Sequence, residues 1–156
     1  MPVQLIAASW QEYEQKFTGA LLDAKGKWDV SYALFGDIDL DEHRAWEEKV
    51  CQKAGLQAVL PLWKQNRKTL VLQMIAEGMQ MMIVSCNTQM GARFLGKVLD
   101  KELVAELESL GIDPCGEEGE FHTLVTHCKA FQTPLNVIIK EKLLHTGYWF
   151  CQLQLA

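Results

Sequence analysis

Val30-Ser31-Tyr32-Ala33-Leu34-Phe35-Gly36-Asp37-Ile38-Asp39-Leu40 is the stretch on which the fold turns. Val30 to Phe35 is apolar but for Ser31 and the Tyr32 hydroxyl and reads as a buried strand. Gly36 breaks it, and the aspartates that follow lead into a helix from Asp41 to Ala54 closed by Gly55. The same unit comes again downstream. Gln57 to Leu60 is a short strand, Arg67 to Glu77 a helix ending at Gly78, and Met79 to Ser85 another strand. Alternation of this kind predicts a parallel sheet with flanking helices.

Upstream, Val3 to Ala7 is a short apolar run. Ser9 and Glu12 have the S-x-x-E spacing that caps a helix start, so a helix is expected from Trp10 to Ala24. Near Asp100 the pattern changes. A capped helix runs to Leu110 and Gly111, and three segments of period two follow: Phe121 to His127, Leu135 to Lys140 and Trp149 to Leu155. The expected architecture is therefore an α/β portion over residues 1–98 and a small α+β subdomain with antiparallel strands over residues 99–156.

The composition narrows the function classes. A chain of 156 residues with a formal net charge of -5 is poorly suited to general nucleic-acid binding, because phosphate neutralisation needs clustered Lys and Arg. Lys64-Gln65-Asn66-Arg67-Lys68 is the one basic cluster, and it reads as a solvated helix start. The longest apolar runs, such as Met81 to Val84, are too short to span a bilayer. No secretory leader is readable from Met1 to Leu5, so a cytoplasmic location is expected. Five cysteines, odd in number and without a C-x-x-C pair, are expected as reduced thiols.

Two groups of residues could carry chemistry. Asp37 and Asp39 follow the carboxyl end of a parallel strand, where ligands bind in open α/β sheets, although Asp39 or Asp41 is equally suited to capping the next helix. His43 and Glu47 then share one helix face, as do Arg44 and Glu48, either positioning a substrate or forming surface ion pairs. Trp63 after Pro61-Leu62 is either a stacking surface of the same crevice or a core tryptophan.

The second group is Asp113-Pro114-Cys115-Gly116-Glu117-Glu118-Gly119-Glu120-Phe121-His122-Thr123. Its glycines permit positive φ, and its glutamates repel one another unless something offsets their charge. A solvated acidic turn is the competing reading. Zinc at Cys115, His122, His127 and Cys128 is disfavoured, because His122 and His127 point to opposite faces of one strand, and no metal is expected. Cys115 sits among carboxylates that suppress its thiolate.

Taken in order, Phe35 to Asp39 with His43, Arg44, Trp46 and Glu47, then Pro61-Leu62-Trp63, then Asp113 to Thr123, closely resemble the diphthine ammonia ligase family. The likeness extends over nearly the whole chain from Trp10 onward, and Gly147 to Phe150 is similar to the end of bacterial members. The resemblance implies a PP-loop ATP pyrophosphatase with a HUP-type sheet, using ATP with magnesium. Its activity is adenylation of a carboxylate, release of pyrophosphate, and attack by ammonia to give an amide. On that likeness Glu117, Glu120 and His122 are the catalytic candidates. Asp37, Asp39, His43, Trp46, Glu47, Gly116, Gly119 and Thr123 are the substrate-binding ones.

Family members begin with a strand leading into S-G-G-x-D-S, a phosphate-binding loop at a helix start, and no such segment occurs in this sequence. The expectation is thus the substrate-side portion of the ligase, with residues 1–98 the remainder of the nucleotide-binding domain and 99–156 the substrate-binding subdomain. Its partners are a small-molecule or protein-borne carboxylate and ammonium, without nucleic acid or membrane. The open sheet edge suits self-association or pairing with a separate PP-loop-bearing chain. The alternative is a non-catalytic binding module derived from this fold.

Overall fold

The computed structural model describes residues 3–156 and divides them into two compact units, one running to Gln65 and one from Asn66 onward. The expected division after residue 98 therefore falls inside the second unit. Each unit has its own sheet and its own core.

The first unit holds helix α1 (Tyr13–Trp28), strand β1 (Tyr32–Leu34), helix α2 (Asp41–Ala54) and strand β2 (Gln57–Val59). Strands β1 and β2 pair in parallel, with Ala33 opposite Ala58, as the strand-helix-strand alternation requires. The glutamate of the S-x-x-E motif turns back onto the Ser9 hydroxyl at 2.8 Å, and the Glu12 amide donates to the Ser9 carbonyl. That closes a separate turn, so the helix starts later than expected and runs on to Asp29, whose φ of 50° ends it. Helix α2 has the expected bounds and ends on Gly55 at φ 67°. Residues 3–9 form no strand, since no neighbouring strand offers them hydrogen bonds within the unit.

The buried core here is thin: Cys51, Ala54 and Leu56, backed by Leu21, Val30, Ala33, Phe35 and Ala58. Strand β1 is not the buried strand its composition suggests. Tyr32 and Leu34 are 57% and 71% exposed, because a two-stranded sheet covers only one of its faces.

The second unit contains helix α3 (Arg67–Ala76), strand β3 (Gln80–Asn87), a 3-10 turn at Ala92–Phe94, helix α4 (Lys101–Ser109) and strands β4 (Phe121–His127), β5 (Val137–His145) and β6 (Tyr148–Leu155). Its sheet has the order β4-β3-β6-β5, antiparallel throughout. The antiparallel sheet of the later segments is as expected, but β3 joins it instead of the parallel sheet. Met81, Met82, Ile83, Ser85 and Cys86 are all buried, which is what a central strand covered on both faces requires whichever way its neighbours run. Asn66 and Asp100 cap α3 and α4 by accepting from the Thr69 and Leu103 amides. Thr146-Gly147, both with positive φ, form the two-residue loop between β5 and β6.

Ile83, Cys86, Phe94, Val104, Leu107 and Phe121 form the centre of the second core. Leu107 is fully buried and projects from α4 into it. Leu107→Ala is expected to lower the stability of this unit by about 2–5 kcal/mol, measured as a shift in denaturant midpoint at unchanged slope.

Candidate functional site

In the second unit the acidic turn is built around the carboxylate of Asp113. Its Oδ1 accepts from the Cys115 amide at 3.0 Å, and its Oδ2 accepts from the Glu117 amide at 3.2 Å. The Arg67 guanidinium donates to the same Oδ2 at 2.6 Å and lies 3.6 Å from Glu118. Arg67 thus supplies the positive charge that a cluster of carboxylates needs. Both partners are largely withdrawn from solvent, so their attraction is weakly screened.

Glu120 closes the loop from its other end: its Oε1 accepts from the Asp113 amide at 3.1 Å, and its backbone carbonyl accepts from Asn87 at the end of β3. The second carboxylate oxygen of Glu120 is buried, and no group donates to it. Glu118 and Glu120 border a cavity of about 430 Å³ shared with Asn87, Arg93 and Phe94.

The two glycines have separate reasons to be there. Gly116 has φ 71°, and a Cβ on it would stand 2.7 Å from the Phe121 carbonyl oxygen. Gly119 has φ 82°, and its carbonyl accepts from the Tyr148 hydroxyl at 3.0 Å, which ties the turn to β6. His122 and Thr123 lie on β4 beyond the turn, opposite Ser85 and Ile83, and both are exposed. Neither borders the 430 Å³ cavity, so among the expected catalytic residues Glu117 and Glu120 belong to the turn while His122 stands outside it.

In the first unit a cavity of about 690 Å³ is walled by five aromatic rings, those of Trp10, Tyr13, Phe17, Phe35 and Trp46. Tyr13 stacks on Trp46 with centroids 5.6 Å apart, and Phe17 tilts against Trp46 at 5.0 Å. Asp37, His43 and Glu47 reach the same cavity, joined by Glu14 from α1. His43 Nδ1 is 2.7 Å from Asp37 Oδ1. Glu47 is almost fully buried, and no N–H or O–H donates to its Oε2.

Burial first, then a hydrogen bond and charge from Asp37, then Glu48, push the Glu47 carboxyl up to about 8. It therefore carries a proton at neutral pH, hydrogen-bonded to Asp37. Glu14 behaves oppositely: hydrogen bonds from Lys49 and Lys53 hold it down at about 2. Asp39 does not border this cavity, and the N-cap position of α2 is Leu40, whose side chain makes no capping hydrogen bond. Trp63 also lies away from it, covered by the Arg44 guanidinium at 5.1 Å and the Lys64 ammonium at 4.7 Å.

Sequence reasoning singled out neither Arg67 nor the rings of α1. Arg67 reads as one member of a solvated basic cluster, and only the fold brings it to Asp113, 46 positions away. Tyr13 and Phe17 did carry a usable signal, since a spacing of four places them on one face of α1, while Trp10 reaches the cavity from the turn before that helix.

The family model of the diphthamide synthase C-terminal domain matches residues 67–156, which are nearly the whole of the second unit. The diphthine–ammonia ligase of Homo sapiens is 31% identical over 129 residues, covering 79% of this chain and 48% of that protein. The one from Danio rerio is 30% identical over 132 residues, covering 81% and 51%. The one from Schizosaccharomyces pombe is 28% identical over 130 residues, covering 81% of this chain and 22% of that protein. The chain spans about half the length of the vertebrate relatives it matches.

Two outcomes are expected from this geometry. Gly116→Ala forces a side chain into positive φ and against backbone, and should destabilise the second unit by about 1–3 kcal/mol in chemical unfolding. Glu47 binds its proton more tightly in the folded chain than its ordinary value of 4.5 allows. The first unit should then lose stability as pH rises from about 4.5 to about 8 and change little from this group above that, because the unfolded chain binds fewer protons in that window. Glu47→Gln should flatten that part of the pH dependence of thermal unfolding.

Proposed function

We propose that this chain, which belongs to the diphthine–ammonia ligase family through its diphthamide synthase C-terminal domain, supplies the substrate side of an ATP-dependent amide ligase. The reaction is activation of a carboxylate as its acyl adenylate, followed by attack of ammonia. The observation that carries this reading is the family match over residues 67–156, the stretch that contains the Asp113–Thr123 turn.

ATP with magnesium is the cofactor the family implies, and the described residues do not fit its triphosphate. No glycine-rich loop leads into any of the helices described; the first turns of α1, α2 and α4 carry Glu14, Asp41, Glu42 and Glu102, which repel phosphate, and at the start of α3 the Asn66 side chain already accepts from the Thr69 amide. The nucleotide's phosphates are therefore assigned to no residue here, and no adenylation step is derived from this chain.

The later chemistry suits what the turn offers. Ammonia reaches a protein mostly as ammonium, and carboxylates held in a fixed array can bind that cation beside an acyl group. Glu120, with one oxygen fixed by the Asp113 amide and the other buried without a donor, is assigned to hold the ammonium and take its proton. Glu117 contributes charge beside it, and His122 is the alternative base. Gly116 and Gly119 shape the turn, and Thr123 contacts the substrate from β4. Within the first unit, Asp37, Asp39, His43, Trp46 and Glu47 are the residues assigned to substrate binding.

The test is reconstitution with a phosphate-loop segment from a relative, ATP, magnesium, ammonium and candidate carboxylates, following pyrophosphate and amide. Glu120→Ala is expected to lower amide formation by about 100-fold or more with the fold retained by circular dichroism, and His122→Ala by less. Unchanged turnover in both variants would remove the turn from the reaction. Failure of every phosphate-loop segment to restore nucleotide binding would point to a binding module instead.

A further inference from the structure

The cavity of the first unit, at about 690 Å³, is the size of a small-molecule site and far larger than an ammonium ion needs. Its aromatic walls favour an apolar body in contact with them. No Lys or Arg borders it among the described residues, and Lys49 and Lys53 are both paired with Glu14. Glu47, 3% exposed, contributes a buried oxygen that receives no hydrogen bond. That carboxyl can be satisfied in two ways: by holding a proton against Asp37, or by accepting N–H from something in the cavity.

The kinds of ligand separate on this point. A quaternary ammonium suits the ring faces but has no N–H to donate. An alcohol donates but brings no charge to the Asp37–Glu47 pair. A primary ammonium on an alkyl stem does both, with three N–H donors, a charge for the rings and carboxylates, and methylenes for the apolar walls.

We infer that this cavity binds a primary alkylammonium group, its nitrogen on Glu47 and Asp37 and its stem against Trp46 and Phe17. The inference rests on the reading of the cavity as a substrate pocket and names the class of molecule it takes.

Binding exchanges a proton for a cation. The groups that face Glu47 are Asp37 from the loop after β1, His43, Glu48 and Cys51 from its own helix, and Glu14 across the cavity from α1. With the cavity empty of cations, Glu47 keeps its proton up to about pH 8. When the ammonium enters, that proton leaves to solvent and the carboxylate gains a charged partner. The amine itself stays protonated to about pH 10. Affinity should therefore climb through neutral pH and level off above about 8.

The experiment titrates the full chain with n-butylammonium, tetramethylammonium and n-butanol at millimolar concentrations, read by tryptophan fluorescence. Calorimetry at pH 7 in two buffers of different ionisation enthalpy counts protons. Butylammonium is expected to bind about tenfold or more tighter than the other two and to release about one proton. Glu47→Gln, which keeps the shape of the side chain, should release none and bind about tenfold more weakly. Trp46→Leu, checked by circular dichroism, should weaken butylammonium without changing the proton count.

Equal binding of all three probes, or no binding, would overturn the inference. If butylammonium fails to bind while Glu47→Gln still lowers amide formation in the reconstituted system, the amine is wrong and the substrate pocket stands. If neither responds, both fall.

Discussion

A single carboxylate, that of Asp113, organises the acidic turn of the second unit. It accepts two backbone amides of its own loop and the Arg67 guanidinium, and its own amide is held by Glu120. Three glutamates within four positions would otherwise push the loop open. The ion pair with Arg67 is worth less for global stability than its distance suggests, since desolvating both partners offsets much of their attraction. Its larger effect is on conformation: one geometry satisfies every acceptor of Asp113, and that geometry leaves one oxygen of Glu120 without a donor.

The first unit handles a buried carboxylate in the opposite way. Glu47 has no guanidinium and few donors, so it keeps its proton and shares it with Asp37. The two sites illustrate one rule, that a buried acid must be either paired or neutral. A paired acid such as Asp113 fixes a loop. A neutral acid with an unsatisfied oxygen, lining an aromatic cavity, is free to exchange its proton for a ligand's charge.

Much of this was legible in the residues. The bounds of α2, the helix starts at Arg67 and near Asp100, the antiparallel strands of the last third and the glycine-framed turn follow from caps, period and positive-φ requirements, all local properties. The sharing of one cavity by His43, Glu47 and Asp37 follows from helix spacing plus the loop after β1. The place of β3 was not legible. Met81 to Val84 is apolar on both faces, and that pattern is the same for a parallel strand as for the central strand of an antiparallel sheet. The exposure of Tyr32 and Leu34 was equally hidden, because burial depends on which strands lie beside them.

The chain's local chemistry thus came from the sequence alone: where helices begin and end, which turns need glycine, which carboxylates crowd together, and the resemblance those motifs carry. Tertiary structure decided which charges meet. Arg67 reaches Asp113 from 46 positions away, and α1 brings Tyr13 and Phe17 to Trp46 from 33 and 29 positions away. Such pairings depend on the packing of whole elements, and an arginine in a basic cluster or a tyrosine on a helix face has the same local sequence whether or not a partner awaits it.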